Sequence, residues 1–289
     1  MTSVDLIYAT WPNTPRGEQW YKFAAVARAG GLTERLRQGG HDVREHVLAA
    51  NGPGAGDLKE AFQLAAGIAA KVRESVARDG FPVLVCGSCS VAALGMTAGL
   101  GNDGTGILWM DTHPDLNTPE TTISGLFEGM ALSKVLGSCW RRMSHQLTGL
   151  QPLAARNVCI YDGRDADPAE REIIESVGIP VAHDGTSAAA ALRHCKRVYL
   201  HLDMDVHDSA HFRANSYAFP GGPSPEQVQR DLVGLVRELP VAALSLTSLD
   251  PDLPDAEKAL ACAAAHINAV CDSLQRSRAL WITIFAASQ

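Results

Sequence analysis

Eight short apolar runs, separated by longer helix-patterned segments, constrain this chain more than any other feature. The runs are Asp5–Ala9, Asp42–Leu48, Pro82–Cys86, Gly106–Met110, Asn157–Tyr161, Ile179–Ala182, Arg197–Leu202 and Ala242–Leu246. Several are almost continuously hydrophobic, where a half-buried strand would alternate polar and apolar residues. Strands of this kind are covered on both faces, as parallel strands between helix layers are. The segments between them, such as Asp57–Arg78 and Glu226–Arg237, carry helical periodicity. Strand, helix, strand at this rhythm predicts a three-layer α/β/α sandwich around a central, mostly parallel eight-stranded sheet. No linker, repeat or low-complexity tract interrupts the pattern, so residues 1–289 are read as a single domain.

Open parallel sheets gather ligands at the carboxyl ends of their strands. The run Gly106–Met110 ends in DTHPD, Asp111 to Asp115. Residues i and i+2 of an extended chain share a side, so Asp111, His113 and Asp115 face one point. The run Arg197–Leu202 ends in DMD, which aligns Asp203 with Asp205 in the same way. Four carboxylates and an imidazole crowded together cannot all stay ionised without a cation. Two divalent metals bridged by shared carboxylates would neutralise them. Either motif alone reads as a helix cap; the two together, in this topology, predict a two-metal site.

A third strand end carries CGSCS, Cys86 to Ser90. Cys89 follows its strand as the carboxylate motifs follow theirs, and could add a thiolate to the same cluster. Cys86 lies within the strand and reads as a small buried apolar residue. Two other readings of the C-x-x-C spacing are weaker. A redox pair opens a helix near the amino end of a small thioredoxin-like unit, and a structural zinc site needs two more ligands at matching spacing.

Composition narrows the partners. The net charge is −7, with no basic stripe, which argues against nucleic acid. The amino terminus lacks the pattern of a signal peptide, and no run approaches the ~18 apolar residues of a membrane span. Seven cysteines without a framework spacing point to reduced thiols and a cytoplasmic location. Nothing resembles a nucleotide-binding glycine loop. Trp11, Trp20, Trp109, Trp140 and Trp281 are scattered singly and read as core or rim residues.

These motifs resemble the arginase–agmatinase (ureohydrolase) family of dimanganese enzymes over nearly the whole chain. DTHPD is similar to the family's D-A-H-A-D, HLDMDVHDS (His201 to Ser209) to its S-F-D-V-D-x-x-D-P, and CGSCS to its G-G-D-H-S. The resemblance implies that Cys89, Asp111, Asp115 and Asp203 hold one metal and that Asp111, His113, Asp203 and Asp205 hold the other. It also implies a bridging hydroxide as nucleophile, oriented by Asp115. Manganese suits the carboxylates, while sulfur ligation by Cys89 leaves iron(II) and zinc open. NTPETTISG, Asn117 to Gly125, resembles the arginase loop that holds an amino-acid carboxylate, which assigns that role to Asn117, Thr122 and Ser124. RDADPAE, Arg164 to Glu170, resembles the arginase segment whose second aspartate, here Asp167, receives the α-amino group. Gly221–Gly222 resembles the family's glycine turn near the site.

Three positions depart from arginase. Cys89 replaces a histidine ligand, Glu128 replaces the proton-shuttling histidine, and Ser248 replaces the glutamate that anchors the guanidinium. An N-hydroxyguanidine is less basic than a guanidinium, and a glutamate facing its neutral form would be a buried charge without a partner. Ser248 suits the hydroxylated group, and burial of Glu128 beside Phe127 would let it supply the proton. His207 and His211, just past the DMD motif, are the other shuttle candidates, although each reads more readily as a surface or loop histidine. The substitutions resemble the branch of the family that cleaves Nω-hydroxy-L-arginine to hydroxyurea and L-ornithine in D-cycloserine biosynthesis. An ordinary arginase or related ureohydrolase, and a metal-binding pseudoenzyme, are the competing readings. The family forms trimers or hexamers. The short apolar tail SRALWITIFAASQ is expected to pack on its own domain, which would suit a monomer.

Overall fold

The computed structural model describes residues 2–12, 17–50 and 57–286, with side chains through residue 277. All eight expected runs are strands: β1 Ser3–Thr10, β2 Asp42–Ala49, β3 Phe81–Cys86, β4 Thr105–Asp111, β5 Val158–Asp162, β6 Val181–Ala182, β7 Arg197–Asp203 and β8 Val241–Thr247. They form one sheet in the order β2-β1-β3-β8-β7-β4-β5-β6, and every pairing is parallel. Asn157 falls in the turn before β5, and β6 is only two residues long. The helices are α1 Phe23–Ala29, α2 Leu32–Gln38, α3 Leu58–Val76, α4 Cys89–Leu100, α5 Ala131–Leu136, α6 Arg141–Thr148, α7 Pro168–Val177, α8 Gly185–Leu192, α9 Pro225–Glu238 and α10 Ala256–Ala286. The side chains of the tail from residue 278 on, Trp281 included, lie outside the described residues, and so does the packing expected of them.

The continuous apolar runs follow from the two cores. Leu108 and Met110 of β4 point into one core, while Ile107 and Trp109 point into the other. β3 does the same with Val83 and Val85 against Leu84 and Cys86. α1, α2, α8, α9 and α10 cover the first face, and α3, α4, α5 and α6 cover the second. Cys86 is fully buried, as expected of a small apolar residue.

The strand order places the site. After β3 the chain crosses to β4, leaving a gap that β7 and β8 fill later. β3, β8, β7 and β4 are therefore neighbours at the centre, where the winding direction changes, and their carboxyl ends open on one crevice. α4 delivers Cys89 to it. Ser88 caps α4 by accepting from Val91 N at 3.1 Å. All twelve residues of α4 are buried, so it is apolar on every side. Gly95 and Gly99 let it lie close on α3: a β-carbon at these positions would meet Ile68 at 2.8 Å and Val72 at 2.4 Å. The glycine pair expected near the site is explained by two different demands. Gly221 has φ +85°, and a side chain on Gly222 would strike Val206 O and the Arg164 guanidinium.

Candidate metal centre

A cavity of about 530 Å³ opens at this crevice, with Cys89, Asp111, His113, Asp115, Asp203, Asp205 and Ser248 on its walls. β4 and β7 end on Asp111 and Asp203, so their last side chains project past the sheet. Two compact donor groups form there: Cys89, Asp111, His201 and Asp203 in one, and Asp111, His113 and Asp205 in the other. Within each, one donor atom per residue lies within 4.8 Å of all the others. Asp111 belongs to both, as a bridging carboxylate must.

The contacts are short. Cys89 Sγ lies 2.9 Å from Asp203 Oδ2 and 2.9 Å from Ser248 Oγ. His113 Nδ1 lies 3.4 Å from both Asp111 Oδ1 and Asp205 Oδ2. Asp205 N donates to Asp203 Oδ1 at 2.9 Å, and His113 N donates to Asp111 Oδ1 at 2.7 Å. Each motif therefore folds back on its first aspartate and turns its alternate side chains to one side. Asp115 and Ser248 hold left-handed backbone conformations, φ +53° and +59°. Such angles are uncommon outside glycine and cluster at functional sites.

Charge crowding shows in the protonation equilibria. Burial, then the charge of Asp205, pushes Asp111 up to about 7. Burial, then the nearby Asp205 carboxylate, raises Asp203 well above the carboxylate range, and burial followed by Asp111 does the same to Asp115. Burial, then Asp203, lifts the Cys89 thiol. Asp205 alone is held low: burial opposes its charge, but His113 beside it more than compensates. A divalent cation inverts this logic, since ionised carboxylates and a thiolate become its ligands. The donors are mainly carboxylate oxygens joined by imidazole and sulfur, and the set fits two such cations.

The arginase-family sequence profile matches residues 25–271. The chain belongs to the arginase family. It is 33% identical over 215 residues to the N(omega)-hydroxy-L-arginine amidinohydrolase of Streptomyces lavendulae, covering 73% of this chain and 76% of that protein. It is 33% identical over 166 residues to the arginase of Bacillus subtilis, covering 52% of this chain and 55% of that protein. The solved structure of Bacillus subtilis arginase superimposes with a TM-score of 0.84 at 24% identity, over 94% of this chain and 98% of the other. The chain is thus an arginase-family hydrolase of linear amidine C–N bonds, and the expected fold is the observed one.

The remaining arginase-like positions divide. Asp115 reaches the cavity, but its oxygens belong to neither compact donor group. Asn117, Ser124 and Asp167 line the cavity. Asn117 Nδ2 donates to Asp167 Oδ2 at 2.9 Å, which joins the two expected head-group segments. Thr122 is not on the cavity wall, and its hydroxyl accepts from Gly125 N at 3.0 Å. Glu128 lines the cavity, and burial raises its carboxyl against the pull of Ser90 N–H and Lys134. Its oxygens accept from Ser88 Oγ at 2.8 and 2.9 Å and from Ser90 N at 2.9 Å, so it also caps α4. The apolar setting expected for Glu128 is incomplete. Lys134 is buried nearby, donating to Ser90 Oγ and Phe127 O, with its ammonium 3.4 Å from the Phe127 ring centroid.

Neither shuttle candidate faces the cavity. His207 lies in the bend after β7, as a loop histidine would, but it is buried, with Nε2 turned toward α10 and away from the cavity. His211 is exposed and also lies off the cavity wall. Neither histidine is placed to move a proton there.

Sequence reasoning missed three contributors. His201 is fully buried and stacks on Trp109 with centroids 3.6 Å apart. Burial holds its imidazole near 3, hence neutral. The signal was available, because His201 lies two residues before Asp203 on one strand and shares its side. Glu170 completes a capping box with Asp167 at the start of α7, and D-P-A-E is the sequence signature of that cap. Asn215 donates to Asp205 Oδ2 and to Ser248 O, both at 3.0 Å, and no local pattern announces it.

Proposed function

We propose that this chain hydrolyses Nω-hydroxy-L-arginine to L-ornithine and hydroxyurea at a pair of manganese ions. One ion would be held by Cys89, Asp111, Asp115 and Asp203, the other by Asp111, His113, Asp203 and Asp205. The carrying observation is Ser248. At the cavity wall beside Cys89 the chain offers a hydroxyl, 2.9 Å from the sulfur, where a guanidinium would call for a carboxylate. A hydroxyl pairs with a neutral, oxygen-bearing amidine without burying a charge. The relative named for action on N(omega)-hydroxy-L-arginine supports the same reading.

When bound, the metal pair supplies an activated water and polarises the amidine carbon. The rest falls to the chain. Asn117 and Ser124 receive the α-carboxylate and Asp167 the α-ammonium. Asp115 orients the attacking water. Water adds at the amidine carbon and the bond from that carbon to the side-chain nitrogen breaks. The nitrogen leaves as the amine of ornithine, and its proton comes from Glu128, whose raised affinity follows from burial. The carbon departs as hydroxyurea, the product that would place the chain in D-cycloserine biosynthesis. The arginase-like head-group set leaves arginine turnover as the second reading.

Ser248→Glu tests the carrying observation. A charge-assisted contact of about 1.5–3 kcal/mol should shift the kcat/KM ratio toward arginine by roughly 10- to 100-fold. An unchanged ratio would detach Ser248 from substrate charge.

A further inference from the structure

Away from the carboxylate cluster, a second set of donor atoms converges between α10 and the turn after β7. His207 Nε2 is 3.0 Å from His266 Nε2. Cys262 Sγ is 3.2 Å from His266 Nε2 and 3.8 Å from His207 Nε2. Cys262 and His266 are four residues apart on α10 and so share a face. Both imidazoles are almost fully buried, and Cys262 is half-buried.

Three features point to a metal. First, tetrahedral zinc with Zn–N near 2.05 Å and Zn–S near 2.3 Å separates nitrogens by about 3.3 Å and nitrogen from sulfur by about 3.6 Å. The observed triangle has nearly these edges. Second, His207 Nδ1 lies 3.0 Å from Met204 O. A carbonyl only accepts, so Nδ1 carries the hydrogen and Nε2 presents a lone pair. This outer hydrogen bond is the one that orients metal-bound histidines. Third, among the described residues His266 Nδ1 is buried without a partner, so the ring's polar contacts there lie within the triad. With its hydrogen on Nε2, His266 buries a bare Nδ1 lone pair. With its hydrogen on Nδ1, two lone pairs face each other at 3.0 Å, as they do across a shared cation.

A cleft of about 290 Å³ reaches Cys262 and His266, and Glu226 is on its wall. It gives an entry path, and water entering along it would complete four-coordination. Two imidazoles and a thiolate favour zinc or cobalt, whereas the carboxylate-rich centre favours manganese. We propose that His207, Cys262 and His266 bind a third metal ion, of the zinc class, that fastens α10 to the turn carrying Asp205. The assignment stands independently of the substrate proposed above.

The test is cobalt titration of chelator-stripped protein presaturated with manganese, followed by elemental analysis and by the thiolate-to-cobalt absorption band. The expected result is one further equivalent, whose band persists in Cys89→Ser and disappears in Cys262→Ser and His266→Gln. Cys262→Ser should keep its hydrolytic rate. A wild type that binds no further equivalent overturns the proposal, and that measurement stands even if a variant fails to fold. A further equivalent whose band survives Cys262→Ser overturns it as well.

Discussion

Gly99→Ala should destabilise the protein although alanine is the better helix former. A β-carbon at Gly99 would stand 2.4 Å from Val72 Cβ, 2.7 Å from Val72 Cγ1 and 3.0 Å from Ala69 O. Carbon atoms pack at about 3.5–4.0 Å, so α3 and α4 must part by about 1 Å. The obstructing atoms are a β-branched Cβ and a backbone carbonyl, neither of which can rotate away. Overpacking of this kind costs about 1–3 kcal/mol, and rigid neighbours put this case at the upper end. The gain in helix propensity returns about 1 kcal/mol, leaving a net loss of about 2 kcal/mol. In a chain of this size that lowers Tm by about 4–6 °C. Gly234→Ala on α9 is the matched control, because no described residue lies within 4 Å of its added β-carbon. It should stabilise by about 0.5–1 kcal/mol. Thermal unfolding of both variants, checked by urea titration, reads the two signs. If Gly99→Ala melts within a degree of wild type, or both variants shift the same way, the close packing of α4 on α3 is not what fixes that helix. Because α4 begins at Cys89, Gly99→Ala should also weaken metal retention.

Other expectations follow from the site. Asn215→Ala removes the donor shared by Asp205 and Ser248 O, and should weaken metal affinity about 10- to 100-fold, read by competition with a chelating dye. In metal-stripped protein, Asp111 keeps its proton up to about 7, while the unfolded chain loses it near 3.8. The folded state therefore binds more protons across that window, and apo stability should fall as pH rises through it. Asp205, held low, loses its contribution only at more acidic pH. A Tm of chelator-treated protein that rises from pH 5 to pH 7 would contradict the crowding account. In a Cys262→Ser background, Cys89→Ser should remove the thiolate-to-cobalt band that remains in the cobalt-loaded protein, and Cys89→His should change metal content and metal-dependent rate. If both variants behave as wild type, Cys89 is not a ligand.

The sheet was legible because parallel strands buried on both faces leave continuous apolar runs, and their ends fell within a few residues of expectation. The order β2-β1-β3-β8-β7-β4-β5-β6 was not legible, because hydrophobicity says that a strand is buried but not beside which neighbour. The carboxylate motifs were legible because each is contiguous and follows its strand. His201 was overlooked because it lies inside the strand, where a polar residue reads as an interruption. Asn215, Lys134 and the pairing of His207 with His266 depend on contacts over 10, 44 and 59 residues, which no local spacing encodes. His207 was misjudged for the same reason: a histidine after a loop motif looks exposed until α10 packs over it.

This arginase-family site is proposed to be specialised for a hydroxylated substrate. Its most direct test is ornithine release by the manganese-loaded protein, with arginine and Nω-hydroxy-L-arginine assayed in parallel and hydroxyurea quantified. The expected result is turnover of the hydroxylated substrate with one hydroxyurea per ornithine, and little or none with arginine. Equal turnover of arginine would contradict it, and would mark Cys89, Glu128 and Ser248 as changes that an ordinary arginase tolerates.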